Sequence, residues 1–347
     1  MTRDRTALVL GATGGFGGAM ARRLAAGGWT VRALHRDPER GRARLRKAGL
    51  DAGPAIDWRS GDAMRAADVA AAADGAGLIV HAVNPPGYRN WPALVLPMLA
   101  NSIAAARAGG ARLLLPGTVY NYGPDSLPEP DEDAPQHPVT RKGRIRAEME
   151  RRLQAASADG AMSSLILRSG DHFGPGAGGS WLSQAMVRPG RPLRSVAYPG
   201  RPGIGHQWAY LPDVAETAMR LLDLPQRLPA FARFHMHGHW DEDGTQMVTA
   251  IRRAAAVPAL RIRGLPWGLV ALARPVVPLA RELHEIRYLW EQPVRLGNTR
   301  LLCTLGAEPR TALDTAVATT LRGLGCLPPR RIAEGRRAGP ALTVPAG

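Results

Sequence analysis

Six strand-like runs alternate with five helix-like stretches through the first half of this 347-residue chain. The apolar runs are 7–10, 30–35, 55–58, 78–82, 112–115 and 164–168, and the Ala-, Leu- and Arg-rich helical stretches are 15–26, 40–48, 64–73, 91–108 and 140–156. Apolar strands joined by helices are typical of a parallel sheet that is covered on both faces. The alternation therefore predicts an α/β protein with a doubly wound parallel sheet.

A glycine-rich loop joins the first predicted strand to the first predicted helix. It reads Gly11-Ala12-Thr13-Gly14-Gly15-Phe16-Gly17. Gly11 permits a tight turn, Gly14 lets a pyrophosphate approach the backbone, and Gly17 lets the helix pack closely on the strand. The helix N-terminus adds unpaired N–H groups and a positive dipole end. An ordinary glycine-rich turn is the alternative, but the position on the first strand of the alternation favours a dinucleotide site in a Rossmann domain. The predicted cofactor contacts in this loop are Gly11, Thr13, Gly14, Gly15, Phe16 and Gly17.

The end of the second predicted strand indicates which dinucleotide binds. NAD-binding domains carry an Asp or Glu there for the ribose 2′-hydroxyl, whereas this chain has His35 followed by Arg36. A carboxylate about 4 Å from a 2′-phosphate would cost about 4 kcal/mol per unit charge at an effective dielectric near 20. Arg36, with Arg40 and Arg42 on the next helix, can instead pair with that phosphate. We therefore expect NADP(H) to be preferred over NAD(H), the alternative being that Arg36 is only a solvated side chain.

Beyond residue 168 the alternation stops, and glycines and prolines crowd 170–205. A helix over 214–222, a strand over 233–239 and proline-interrupted helices over 245–325 follow. We expect a Rossmann domain from 1–173 plus 206–240, a smaller substrate-binding cap from 174–205 plus 241–327, and a disordered tail over 328–347.

The net charge of +16 raises the question of a nucleic-acid partner. Only Lys47 and Lys142 are lysines, so the excess is an arginine bias spread over the chain, and no recognition motif accompanies it. We expect a small-molecule substrate, no specific nucleic acid, and a homodimer as the oligomeric state.

Two cysteines, Cys303 and Cys326, exclude a disulfide scaffold and a four-cysteine zinc site.

The most apolar later window, 265–280, is interrupted by prolines and an arginine. A membrane span needs about 20 largely uninterrupted apolar residues, so we expect a buried or substrate-facing helix pair here, no membrane partner, and a cytoplasmic protein.

His235, His237 and His239 alternate along the predicted strand 233–239 and would share one face. Their steps of about 7 Å are too long for one ion, so no metal site is predicted.

Further motifs follow the loop in a characteristic order. They are Gly61-Asp62, His81-Ala82-Val83-Asn84, the stretch 115–123, Arg168 with 173–176, and 208–215. Together with the G-x-x-G-x-x-G loop, they resemble the extended or atypical short-chain dehydrogenase/reductases, the NAD(P)-dependent epimerase/dehydratase group, over about residues 6–325. The resemblance implies that Asp62 contacts the adenine and that Ala82 and Asn84 lie beside the nicotinamide ribose. It also implies that Thr118 supplies a catalytic hydroxyl.

The chain departs from this family where the family has its general acid, a tyrosine with a lysine four residues later. Anchoring on Glu148, which the family tends to carry four residues past that lysine, places Arg144 at the lysine and Thr140 at the tyrosine. Arg144 can still bind the ribose, but the hydroxyl of Thr140 is a far weaker acid than a phenol of pKa about 10. Losing a positioned acid costs about 10²–10⁴-fold in rate.

Two functions therefore remain open. In the first, the protein is an oxidoreductase or epimerase that transfers a hydride between NADP(H) and a carbonyl, an alcohol or a sugar-nucleotide-like substrate. Its proton would then come from Tyr120, Tyr122, Tyr210, His172 or water. In the second, it is a catalytically weak NADP(H)-binding sensor or partner-binding module.

Overall fold

The structure is a computed structural model that describes residues 5–85 and 90–328. Its strands are β1 (Thr6–Leu10), β2 (Thr30–His35), β3 (Ile56–Ser60), β4 (Leu78–His81), β5 (Arg112–Gly117), β6 (Ser163–Arg168), β7 (Asp171–Phe173), β8 (Ser195–Tyr198), β9 (His206–Tyr210), β10 (Phe231–His235), β11 (His239–Asp241) and β12 (Arg261–Gly264). Its helices are α1 (Gly15–Ala26), α2 (Pro38–Lys47), α3 (Ala66–Ala73), α4 (Trp91–Gly109), α5 (Arg141–Ser157), α6 (Leu211–Leu222), α7 (Gln246–Ala255), α8 (Trp267–Ala273), α9 (Pro278–Glu285), α10 (Thr299–Leu305) and α11 (Leu313–Gly323).

Seven strands form the main sheet in the order β10-β6-β5-β4-β1-β2-β3, and every neighbouring pair is parallel. Successive residues of β1 face opposite sides: Ala7 and Val9 pack with α1 and α6, whereas Leu8 and Leu10 pack with α3, α4 and α5. Both faces of the sheet are therefore covered by helices, which confirms the predicted doubly wound Rossmann fold.

Much of the chain after β6 builds a second aromatic core beside the carboxyl ends of the main strands. Strands β7, β9 and β11 form a three-stranded sheet, and β8 pairs with β12. Trp181, Trp208 and Trp290 pack together there, with Trp181 and Trp290 ring centroids 5.1 Å apart. In the main sheet, β10 lies beyond β6 and is supplied by the predicted 206–240 segment.

Two predictions from the sequence are wrong. The strand predicted over 233–239 is interrupted by a turn at Gly238, where φ is +59°. His235 is therefore the last residue of β10 in the main sheet, whereas His239 begins β11 in the three-stranded sheet. The predicted common histidine face therefore does not exist. Helices α8 and α9 are not a buried pair, since Leu272 of α8 and Val276 in the link to α9 are 78% and 81% exposed, and the alternative of a substrate-facing pair stays a prediction.

The predicted tail, apart from Pro328, lies outside the described residues. No helix among residues 5–85 and 90–328 is long and apolar enough to cross a membrane.

Candidate active site

The glycine-rich loop is packed so tightly between β1 and β4 that two of its positions admit only glycine. Gly11 has a φ of +89°, and a Cβ there would lie 2.4 Å from the Ala82 carbonyl oxygen. A Cβ on Gly17 would lie 2.3 Å from the Gly11 carbonyl oxygen. Ala82 thus forms one wall of the loop, and α1 begins in close contact with β1.

The outer side of the same loop is open and suits a diphosphate. A Cβ on Gly14 would approach only the Gly11 carbonyl oxygen, at 3.2 Å. Gly14 is exposed and caps α1, and within the described residues no side chain bonds to this helix start. The N–H groups at Gly15 and Phe16 begin a helix whose positive dipole end faces this opening. The loop therefore fits the phosphates of a dinucleotide.

A corner at the end of β2 lies beside the loop. Half-buried His35 accepts a hydrogen bond from the Asp37 amide through Nδ1 at 3.0 Å and meets the Trp58 ring edge-on at 6.1 Å. A Cβ on Gly41 would lie 3.0 Å from Trp58 and 3.3 Å from the Thr13 methyl group. Position 35, where NAD-binding domains carry an Asp or Glu, is a histidine here, and the neighbouring Arg36 is exposed.

The predicted adenine and ribose contacts lie on the same edge of the sheet. Asp62 follows β3, where its Oδ1 accepts a bond from the Met64 amide at 3.0 Å. Asn84 is exposed a few residues after β4. These residues and the glycine-rich loop all follow carboxyl ends of parallel strands, the edge at which doubly wound folds bind ligands.

Thr118 follows β5 and is held by a buried polar network. Its hydroxyl donates to Asn121 Oδ1 at 3.0 Å, and Asn121 Nδ2 donates to Glu150 at 3.0 Å. Arg168, which is fully buried, donates to both carboxylate oxygens of Glu150 at 2.8 Å and also to the Thr118 carbonyl oxygen. The network fixes the turn that presents the Thr118 hydroxyl.

Helix α5 begins directly against this turn. The hydroxyl oxygen of Thr140 accepts a bond from the Gly143 amide at 2.9 Å, so Thr140 is the N-cap of α5. A Cβ on Gly143 would lie only 2.1 Å from the Tyr120 carbonyl oxygen. Glycine at position 143 therefore allows the first turn of α5 to touch the segment that carries Thr118.

The two predicted residues of α5 do not come together at the site. Arg144 is exposed, and Thr140 is engaged in capping. Lys142 and Arg146 occupy the inner face instead, one turn apart. The Arg146 guanidinium lies 5.2 Å from the Trp91 ring centroid.

The charge of Arg146 reaches two histidines at the site. Burial first, and then the positive charge of Arg146, lower the pKa of His81 to about 3. Burial lowers the pKa of His172 to about 4; the Asp171 carboxylate opposes this shift, and Arg146 adds a smaller lowering effect. His81 ends β4, and the His172 ring stacks on Phe16 of the loop at 6.2 Å. Arg146 is therefore close enough to both histidines to act on them electrostatically.

Lys142 is buried against the cap. Its Nζ donates to the Glu282 carbonyl oxygen at 2.8 Å and lies 2.9 Å from the Glu282 carboxylate. Burial lowers the pKa of Lys142, and the Glu282 carboxylate partly opposes that shift. This ion pair joins α5 to α9.

A different anchor explains why Lys142 and Arg146 were missed. Glu148 is a surface residue whose pKa is held at about 2 by hydrogen bonds from Arg151 and Arg152, whereas Glu150 is the buried partner of Arg168. Counting from Glu150, the motif's lysine position falls on Arg146 and its tyrosine position on Lys142. The apolar stripe Ile145, Met149 and Leu153 carries no signal that separates the two, because it is centred on position 149 and Glu148 and Glu150 lie equally far to either side of it.

The other candidate proton donors occupy different surroundings. Tyr122 is buried, with its hydroxyl 2.8 Å from His235 Nε2 and donating to the Asp131 carbonyl oxygen at 3.1 Å. Burial raises the pKa of Tyr122 and of Tyr210, which packs in the cap core. Tyr120 is partly buried on the turn after Thr118. His172 lies 2.9 Å from the Ser169 hydroxyl and is neutral near pH 7.

Comparisons with known proteins agree with this geometry. The model of the NAD dependent epimerase/dehydratase family matches residues 7–235. No curated protein matches the chain by sequence.

Several solved structures share the fold. MoeE5 in complex with UDP-glucose and NAD is 18% identical with a TM-score of 0.67, covering 92% of this chain and 98% of its own. UDP-glucuronic acid 4-epimerase from Bacillus cereus, with UDP-glucuronic acid and NAD, is 14% identical with a TM-score of 0.69 over 92% and 98%. WbmH from Bordetella bronchiseptica, with NAD⁺, is 18% identical with a TM-score of 0.65 over 92% and 97%.

Proposed function

Because this chain belongs to the NAD dependent epimerase/dehydratase family, we propose that it transfers a hydride between NADP(H) and a carbonyl or alcohol of a sugar-nucleotide-like substrate. The observation that carries this proposal is α5, whose first turn touches the segment after Thr118 at Gly143 and which carries Lys142 and Arg146 one turn apart on its inner face. The sugar-nucleotide class is supported by the UDP-sugars described in two of the similar structures.

The chain's own residues would hold the cofactor at the edge formed by the strand ends. The amides at the start of α1 would bind the diphosphate, and Arg36 would pair with a 2′-phosphate. Arg146 would hold the nicotinamide ribose in place of the family's lysine. When bound, the nicotinamide ring supplies or accepts the hydride.

Thr118 and Lys142 would have different roles at the substrate oxygen: Thr118 would orient it and Lys142 would protonate it. On substrate binding, the Thr118 hydroxyl would give up its bond to Asn121 Oδ1 and donate instead to the substrate carbonyl, which orients it. As the hydride reaches carbon, the Lys142 ammonium would transfer one proton to the oxygen, giving the alcohol and a neutral amine. Burial lowers the pKa of Lys142, which makes the ammonium a stronger acid than an exposed lysine. Glu282 positions the amine and stabilises its charged form in the resting enzyme.

The competing function is a cofactor-binding module with weak or no chemistry. The observation in its favour is the Lys142–Glu282 ion pair, which already engages the amine that would act as the acid. The two functions make opposite predictions for turnover and the same prediction for cofactor binding.

Kinetics of the full-length protein separate them. NADPH or NADP⁺ would be supplied with UDP-sugars, aldehydes and alcohols, and nicotinamide absorbance and sugar products would be followed. We expect turnover by the wild type and a loss of about 10²–10⁴-fold in kcat for Lys142→Met. Thr118→Val should also slow kcat, while Arg151→Met, at an exposed position on the same helix, should behave as the wild type. Binding of NADPH without turnover by any form would establish the binding module, and no binding at all would refute the site.

A further inference from the structure

Helix α8 and the link from α8 to α9 expose four large apolar side chains on the cap. Leu269, Leu272, Val276 and Val277 are 66%, 78%, 81% and 42% exposed. We name these four residues the apolar apex. Single exposed leucines are ordinary, but four neighbouring ones mark an interaction surface or an aggregation risk.

The base of the apolar apex is firmly attached to the cap. Trp267, the first residue of α8, donates through Nε1 to the Pro199 carbonyl oxygen at 2.8 Å, and its ring meets that of Trp181 at 6.2 Å. The Arg287 guanidinium lies 5.4 Å from the same ring. Because α8 is anchored through this tryptophan, the leucines that follow it are held outward rather than folded into the core.

The apolar apex lies in a stretch of the chain that carries only positive charge up to the middle of α9. No acidic residue occurs between Asp243 and Glu282. The exposed arginines of this segment near β12, α8 and α9 are Arg261, Arg263, Arg274 and Arg281. Arg281 forms an ion pair with the buried Glu282 carboxylate at 3.6 Å, and Arg274 contacts His284 at 3.3 Å, so the exposed positive charge around the apolar apex comes from Arg261, Arg263 and Arg274. A partner must therefore combine an apolar interior with a negatively charged surface.

We propose that this face docks on an anionic lipid bilayer, with the apolar apex at the boundary between headgroups and acyl chains. The arginines would contact the acidic headgroups around it. A second copy of this chain fits less well, because a twofold contact would bring the same arginines together with no acid of the segment to balance them. The contact is peripheral, in keeping with the absence of a membrane-crossing helix among the described residues.

Vesicle binding by the full-length protein tests this proposal. Flotation would use phosphatidylcholine vesicles with and without phosphatidylglycerol, and the oligomeric state would be measured by light scattering. A protein with net charge +16 adheres to anionic vesicles through charge alone, so the apolar variants decide the question. The triple variant Leu269→Ser, Leu272→Ser, Val276→Ser should bind the anionic vesicles at least about tenfold more weakly.

The controls separate the apex from general adhesion. Arg263→Gln and Arg274→Gln should each weaken binding about fivefold, while Leu302→Ser and Met64→Ser, at other exposed apolar positions, should leave it unchanged. The far-ultraviolet circular dichroism of every variant should match that of the wild type, because the substituted side chains are exposed. Unchanged binding by the triple variant, absence of vesicle binding, or a wild-type dimer that the triple variant dissociates would each overturn the proposal.

Discussion

Replacing Glu150 by glutamine should strongly destabilise the protein and loosen the turn that holds Thr118. The Arg168 guanidinium is fully buried and bonds both Glu150 oxygens at 2.8 Å, and Arg233 approaches the same carboxylate at 3.4 Å. The glutamine would leave two arginines facing each other with no anion between them. Breaking a buried pair in this way costs about 3–5 kcal/mol, which for a chain of 347 residues corresponds to a fall in Tm of roughly 4–7 °C, at an unfolding entropy of about 2.1 cal/mol/K per residue.

Thermal unfolding followed by circular dichroism measures this loss. Glu148→Gln is the matched control, because Glu148 bonds Arg151 and Arg152 on the surface of the same helix and exposed pairs contribute about 1 kcal/mol or less. The double variant Glu150→Leu, Arg168→Met should recover much of the stability, since it leaves neither charge buried alone. Equal Tm values for Glu148→Gln and Glu150→Gln would refute the assignment of Glu150 as the inner glutamate of α5.

Three further outcomes test other parts of the site. Gly17→Ala should abolish dinucleotide binding, because its Cβ would lie 2.3 Å from the Gly11 carbonyl oxygen, whereas Gly178→Ala, which meets no atom within 4 Å, should bind normally in the same fluorescence titration. Arg36→Ala should raise the Kd for NADPH about tenfold and leave that for NADH unchanged, and an equal effect of Arg44→Ala would contradict a specific phosphate contact. Burial lowers the pKa of His81 from 6.5 to about 3, so its stabilising contribution is complete above pH 6.5 and is lost as the pH falls toward 3. The free energy of unfolding, measured by chemical denaturation, should fall by about 2 kcal/mol between pH 7 and pH 5 because of His81. In His81→Asn, the free energy of unfolding should lose this part of its pH dependence.

The main sheet was predictable because its signals are local. Each strand is a short apolar run, and the glycine at 17 is required by a contact within one strand–loop–helix unit, whereas Gly11 is also required by the approach of Ala82 after β4. The parallel order then follows from the alternation itself. A strand was also predicted over 233–239, and β10 (Phe231–His235) does join the main sheet, but its bounds and its position beyond β6 were not predicted.

The face of α5 was harder to predict because two glutamates stand two residues apart. Glu148 and Glu150 offer the same chemistry, and only burial against Arg168 distinguishes them. A shift of two residues turns a helix by about 200°, so the wrong anchor moved the predicted pair from the inner face to the outer one. The histidines at 235 and 239 were misplaced for a related reason, since the turn at Gly238 sends them into different sheets.

The central claim is that Arg146, and not Arg144, faces the cofactor. Fluorescence titration of NADPH into Arg146→Met and Arg144→Met compares the inner and outer faces of one helix with the same chemical change. We predict that Arg146→Met raises the Kd about tenfold or more, because it removes a charged hydrogen-bond donor from a largely enclosed position. Arg144→Met, at an exposed position, should stay within about twofold of the wild type. A wild-type Kd for Arg146→Met together with a raised Kd for Arg144→Met would contradict the account.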